Sequence, residues 1–147
     1  MQIDQILGDV VKMRESSNVP CLFEKFILEF GLNASGLPFD GPQGVPGQCF
    51  QNALNMSLSR CVNYVEGFAL RPWVGVPVHH AWCEFDDHTV IDPTWSKPED
   101  CQYLGVSFKH TDALERVIET RIYGLFYIPH LDVDFVRKVA IRVCKGR

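Results

Sequence analysis

Three features are scarce in this sequence of 147 residues, and each absence excludes a class of protein. No apolar run approaches the roughly 20 residues that a membrane-spanning helix needs, so we expect no membrane partner. Positive charge is not in excess, because 14 Lys and Arg residues stand against 18 Asp and Glu residues. Broad nucleic-acid binding depends on clustered positive charge, so no nucleic-acid partner is expected either. The N-terminus lacks a basic stretch followed by an apolar one, which argues against a signal peptide and predicts a cytoplasmic protein.

Closely spaced cysteines are also missing, although the chain has six of them. The nearest two in sequence, Cys49 and Cys61, are 12 residues apart, so the paired-cysteine spacing of zinc sites is absent. The sequence therefore predicts no metal site and no cofactor. Most of the cysteines are expected to be small buried side chains.

The sequence does contain ample material for a packed core, since 46% of its residues are hydrophobic and 12% are aromatic. The length predicts a single domain over residues 1–147. Apolar periodicity and turn residues predict helices over 4–15, 20–31, 49–59, 111–119 and from 132 or 134 onward, and strands over 62–70, 76–85, 89–92, 104–108 and 121–128. Residues 32–48 are rich in Gly and Pro and predict a long loop. Helices followed by strands indicate an α+β fold with helices packed on an antiparallel sheet.

Cys49 is the candidate nucleophile among the six cysteines. It follows the Gly- and Pro-rich loop and opens a predicted helix. The partial positive charge at a helix N-terminus stabilises a thiolate, so we expect a lowered pKa at this thiol. The thiolate is the reactive form of cysteine.

A histidine and an aspartate follow at positions that a hairpin would bring together. His80 lies in one predicted strand, Asp92 ends the next, and a turn at 86–88 separates them. An imidazole can take the thiol proton and later return it to a leaving group. A carboxylate that accepts the ring N–H fixes the tautomer of the base and stabilises the imidazolium. Cys49, His80 and Asp92 are therefore the predicted catalytic residues.

Four short segments resemble the core of the transglutaminase-like superfamily, which belongs to the wider papain-like fold. They are residues 47–53 (GQCFQNA), 65–69 (VEGFA), 80–84 (HAWCE) and 91–94 (IDPT). The resemblance covers roughly a third of the chain, in the order found in that family. It implies a papain-like fold, a Cys-His-Asp triad and acyl transfer on amide substrates without a cofactor.

The resemblance also suggests residues around the triad. In papain-like peptidases a glutamine six residues before the nucleophile donates its side-chain amide to the oxyanion, which implies this role for Gln43. Gln48, next to the nucleophile, is a competing donor. Two tryptophans, Trp82 and Trp95, are candidates to wall a substrate cleft, with core packing as the alternative.

Three questions stay open at the level of sequence. His79 precedes His80 and would be the base if the strand register differed, because side chains alternate across a strand. The substrate is expected to be a peptide, a protein or a small amide, with hydrolysis favoured over deamidation or transamidation. The alternative function is an inactive binding module that captures a protein partner through the loop 32–48.

Overall fold

The computed structural model describes residues 1–39 and 41–145, which contain five α-helices and five β-strands. Residue 40 of the predicted loop lies outside that description. The helices are α1 (Ile3–Ser16), α2 (Leu22–Phe30), α3 (Cys49–Arg60), α4 (His110–Thr120) and α5 (Val133–Lys145). The strands are β1 (Leu32–Ser35), β2 (Asn63–Leu70), β3 (Val78–Glu84), β4 (Val90–Ile91) and β5 (Gln102–Phe108). Within the described part of the chain, each helix is too short or too polar to cross a bilayer.

The strands form one antiparallel sheet in the order β1-β5-β2-β3-β4, which confirms the predicted α+β class. The central strand β2 pairs with both β3 and β5, and Gly67 lies opposite His80 on one side and Gly105 on the other. A Cβ atom at Gly67 would come within 2.2 Å of the Leu104 carbonyl oxygen. The pairing of these three strands at Gly67 therefore requires a glycine, because any larger residue would push the strands apart.

Alternation along the strands divides the apolar residues between the two faces of the sheet. One face carries Tyr64, Phe68 and Ala81 and packs against the helices, forming the larger core cluster. The opposite face carries a smaller aromatic cluster, which includes Val65, Ala69, Trp82, Val90, Trp95 and Tyr103. Neighbouring residues of β3 consequently belong to different cores.

Two elements differ from the sequence prediction. The long loop contains the strand β1, which pairs with β5 almost seventy residues away in sequence. The predicted strand over 121–128 is wrong, since only Tyr127 forms a bridge, to Leu131. The backbone has positive φ at Arg121 (60°) and Gly124 (86°), and such left-handed residues interrupt the extended conformation.

Replacing Trp82 with alanine should lower the free energy of unfolding by about 3–5 kcal/mol. Trp82 is fully buried, and one of its ring atoms lies 2.8 Å from the position of a Cβ at Gly105, so the truncation leaves a cavity in the centre of the sheet. Urea denaturation would measure the loss. Trp73 is the matched control, because it is 59% exposed and Trp73→Ala should change stability by less than about 1 kcal/mol.

Candidate active site

The hairpin of β3 and β4 brings His80 and Asp92 together as the sequence predicts. His80 Nε2 lies 2.8 Å from Asp92 Oδ2, and the two residues are 2% and 0% exposed. The register of the hairpin explains the contact, since Cys83 lies opposite Ile91 and Asp92 follows as the strand ends. A carboxylate accepts at this site, so Nε2 carries the proton and Nδ1 is the nitrogen left free to act as a base.

Asp92 is held by four donors. Besides His80, the Tyr103 hydroxyl donates to Oδ2 at 2.9 Å. The backbone N–H groups of Thr94 and Trp95 donate to Oδ1 at 2.9 and 3.1 Å. A buried carboxylate needs this many partners, because an unpaired charge away from water is costly. The four bonds fix the carboxylate and, through it, the orientation of the imidazole.

The His80 ring stacks against two indoles. Its centroid is 4.1 Å from the Trp95 ring and 6.1 Å from the Trp82 ring, with interplanar angles of 22° and 23°. Trp82 has no exposed surface, and its indole N–H donates to Glu84 Oε1 at 3.0 Å. Trp82 therefore packs inside the core and does not wall a cleft, which corrects that prediction. Trp95 does line a surface groove.

Cys49 is the first residue of α3, and its side chain lies beside β3. The backbone N–H groups of Ala81 and Phe50 lie close enough to the thiol to lower its pKa. Ala81 directly follows His80, so the thiol lies beside the strand that carries the candidate base. The same helix contacts β3 again one turn later, where the Cys83 thiol donates to the Ala53 carbonyl at 3.1 Å.

The expected lowering of the Cys49 pKa is not what the structure gives. Burial raises the pKa of the Cys49 thiol above its ordinary value, and the negative charges of Glu66 and Asp92 raise it further. The N–H groups of Ala81 and Phe50 lower this pKa but do not outweigh burial. At neutral pH the resting residue is accordingly a thiol that needs a base to remove its proton.

The loop before Cys49 is attached to the segment that carries Asp92. Gly44 N–H donates to the Pro93 carbonyl at 2.8 Å, and Asn52 Nδ2 donates to Val45 O at 2.9 Å and Thr94 Oγ1 at 3.0 Å. A Cβ at Gly44 would approach the Asn52 side chain to 2.2 Å, so the attachment depends on this glycine. Asn52 lies three residues after Cys49 on α3 and connects the helix, the loop and the Asp92 segment.

Both candidate oxyanion donors lie on the surface of this loop. Gln43 is exposed and precedes the anchored Gly44. Gln48 is exposed at the N-cap of α3, and its side chain makes no capping hydrogen bond. The backbone N–H of Cys49 has no acceptor within its helix, as is usual in a first turn. Gln43 and Gln48 therefore both stay candidate oxyanion donors.

His79 has its own carboxylate on the opposite face of the sheet. Its Nε2 lies 3.0 Å from Glu66 Oε1, while Glu66 Oε2 accepts from the Tyr64 hydroxyl at 2.7 Å and from the Leu125 N–H at 2.8 Å. The Phe50 ring centroid lies 4.9 Å from the His79 ring, so this second pair also borders the start of α3. The adjacent residues His79 and His80 therefore each pair with a carboxylate, and of these two pairs only His80–Asp92 was expected.

Sequence reasoning missed Tyr103, Asn52 and the burial of Glu66. The helical spacing of three residues from Cys49 could have indicated Asn52. Tyr103 reaches Asp92 from a different strand of the sheet, and Glu66 on β2 meets His79 on β3. Both contacts depend on tertiary packing, which carries no local signal. Across the described residues, no three His, Cys, Asp or Glu side chains gather as they would around a metal ion.

Comparison with known proteins identifies no relative of this chain. No protein-family model, curated protein or solved structure gives a significant match.

Stability should fall as the pH rises from about 9 to about 11, and the Cys101 thiol contributes to this fall. Burial raises the pKa of Cys101 to about 11, whereas an unfolded thiol titrates near 8.5. Between these values the unfolded chain has lost the proton that the folded chain still holds, so increasing pH favours unfolding. Urea denaturation at about pH 8 and about pH 10.5 should show a smaller loss in Cys101→Ala than in the parent chain. An equal loss in both proteins would contradict this assignment.

Proposed function

We propose that this chain is a cysteine-dependent acyl-transfer enzyme that acts on amide substrates. The observation that carries the proposal is the buried hydrogen bond between His80 and Asp92. The backbone of Ala81, the residue after His80, is close enough to the Cys49 thiol to lower its pKa. A nucleophile, a base and a carboxylate that orients the base are the three parts that such chemistry requires.

In the first half of the reaction, Cys49 attacks the carbonyl carbon of the amide. His80 Nδ1 takes the thiol proton as the carbon–sulfur bond forms, and the charge that develops on the imidazolium is stabilised by Asp92. The same proton then passes to the amide nitrogen, and the carbon–nitrogen bond breaks. The products are a free amine and a thioester on Cys49.

The oxyanion of the intermediate needs donors that already point toward it. The backbone N–H of Cys49 supplies one donor, and the exposed side chain of Gln43 or Gln48 supplies another. The bonds from Gly44 to Pro93 and from Asn52 to Val45 hold the loop that carries these glutamines. Fixed donors matter because reorganisation at the moment of reaction would raise the barrier.

In the second half, water attacks the thioester with His80 again acting as base, and the thiol is released with a carboxylic acid. We favour hydrolysis because water reaches the site without a second binding surface. An amine in place of water would give transamidation, and a glutamine side chain as substrate would give deamidation. The substrate is accordingly a peptide, a protein or a small amide.

The fold that we propose for the site is the papain-like arrangement of the transglutaminase core. Its support is the placement of Cys49 at the start of a helix that packs on the strand bearing His80, with Asp92 directly after the neighbouring strand β4. Three of the four short segments that resemble this family, 47–53, 80–84 and 91–94, contain these residues in order.

Intact-mass spectrometry tests this function directly. The chain is incubated with peptides, glutamine-bearing peptides and small amides, and the reaction is quenched over a time course. We expect a transient adduct with the mass of the acyl group and release of the amine or ammonia, both abolished in Cys49→Ser. Capture of a protein with no adduct and no product would instead favour the binding module.

A further inference from the structure

An open groove lies beside the candidate site and is bordered by Trp95. It has a volume of about 350 Å³ and is lined by Gly47, Arg71, Val74, Val76, Val78 and Trp95. One end of the groove lies at Gly47, two residues before Cys49 in sequence. Trp95 forms part of its wall and stacks on the His80 ring at a centroid distance of 4.1 Å. A ligand in the groove would therefore lie next to the reacting groups.

The connection between β2 and β3 makes most of the groove apolar. Val74, Val76 and Val78 are 50%, 54% and 40% exposed. Three aliphatic side chains grouped at the surface are unfavourable in water unless a ligand covers them. An apolar side chain similar in size to these valines is therefore the natural occupant of the groove.

Arg71 adds a positive charge to the same wall. Its guanidinium carbon lies 4.0 Å from the centre of the Trp95 ring, so the ring fixes the position of the guanidinium. Its Nε is buried and has no hydrogen-bond partner, and within residues 1–39 and 41–145 no carboxylate forms an ion pair with Arg71. The guanidinium is therefore held in place while its N–H groups lack an acceptor. Its planar arrangement of N–H donors matches the two oxygens of a carboxylate.

We propose that the groove binds the part of the substrate that carries an apolar side chain and a carboxylate, with Arg71 pairing with the carboxylate and the three valines contacting the side chain. This inference rests on the proposed function, because it takes the molecule in the groove to be part of the substrate. It narrows the substrate class to amides of apolar amino acids that present a free carboxylate near the reacting bond. Arg71 then determines which substrates bind. It is not a catalytic residue, because it does not contact the reacting atoms.

Binding to the Cys49→Ala variant tests the inference without requiring catalysis. The probes are N-acetylleucine, N-acetylleucinamide and N-acetylasparagine, which differ in the carboxylate or in the side chain alone. Titration is followed by the NMR signal of the Trp95 indole N–H. We expect N-acetylleucine to bind about ten- to a hundredfold more tightly than its amide, as one charged hydrogen-bonded pair predicts. N-acetylasparagine should also bind more weakly.

Three variants at arginine positions complete the test. Arg71→Gln should lose the preference for the carboxylate, whereas Arg71→Lys, which keeps the charge, should retain part of it. Arg60→Gln is the matched control, because Arg60 lies over the Phe39 ring and not in the groove. Equal binding of the acid and the amide, or an undiminished preference in Arg71→Gln, would overturn the inference. Binding without any acyl adduct in the parent chain would overturn the proposed function alone, and an adduct without carboxylate preference would overturn this inference alone.

Discussion

Replacing His80 with glutamine should slow the acylation of Cys49 by about 10²–10⁴-fold, the range expected for loss of a general base. Glutamine can still donate to Asp92 Oδ2, so the buried carboxylate keeps a partner and the fold should survive. What is lost is the ring nitrogen that accepts the thiol proton. Because burial raises the Cys49 pKa, few thiolates form without that base, and the loss should be greatest near neutral pH.

His79→Gln is the control for this prediction. A glutamine at position 79 can also donate to Glu66, so this buried carboxylate keeps a hydrogen-bond partner. The rate of acylation should then stay within a few-fold of the parent value. If His79→Gln loses the rate and His80→Gln keeps it, the base is His79, oriented by Glu66, and the assignment of the triad is wrong. Quenched-flow mass spectrometry of both variants would decide between the two histidines.

Exchanging Asp92 for asparagine should reduce turnover by a similar factor, about 10²–10⁴-fold. Oδ1 accepts from two backbone N–H groups, so the asparagine oxygen must occupy that position. The amide NH₂ then faces His80 Nε2 and forces this nitrogen to be the acceptor. The proton moves to Nδ1, where it prevents the imidazole from taking the thiol proton.

The matched control for Asp92→Asn is Tyr103→Phe. It removes one donor to Oδ2 but leaves the aspartate and the tautomer of His80 unchanged. Its rate should fall by less than about tenfold, in line with the loss of one hydrogen bond. Steady-state turnover and urea denaturation of both variants separate catalysis from stability. Unchanged turnover in Asp92→Asn would remove Asp92 from the triad.

Local sequence patterns predict much of this fold. The apolar spacing that predicts a helix over 4–15 is confirmed by α1, and the hairpin turn at 86–88 correctly places His80 beside Asp92. These predictions succeed because each depends on residues that are close in sequence. The strand over 121–128 failed, since propensity alone does not reveal where the backbone turns left-handed.

The environment of the site was less predictable than its residues. Helix position alone suggested a lowered Cys49 pKa, but burial, which depends on the whole fold, determines the opposite direction. Tyr103 reaches Asp92 from β5, and Arg71 reaches Trp95 from the end of β2. Both contacts are made by tertiary packing, so no spacing in the sequence indicates them.

The most direct test compares the thiols of the folded protein in one reaction. Cys61 and Cys144 are exposed, while Cys49 is partly buried, so access alone would place Cys49 behind them. An activated ester is added at neutral pH, and peptide mapping measures the initial rate of acylation at each cysteine. Cys49 should be acylated first, and this advantage should disappear in His80→Gln. Faster acylation of Cys61 and Cys144, with Cys49 unmodified, would contradict the assignment of Cys49 as the nucleophile.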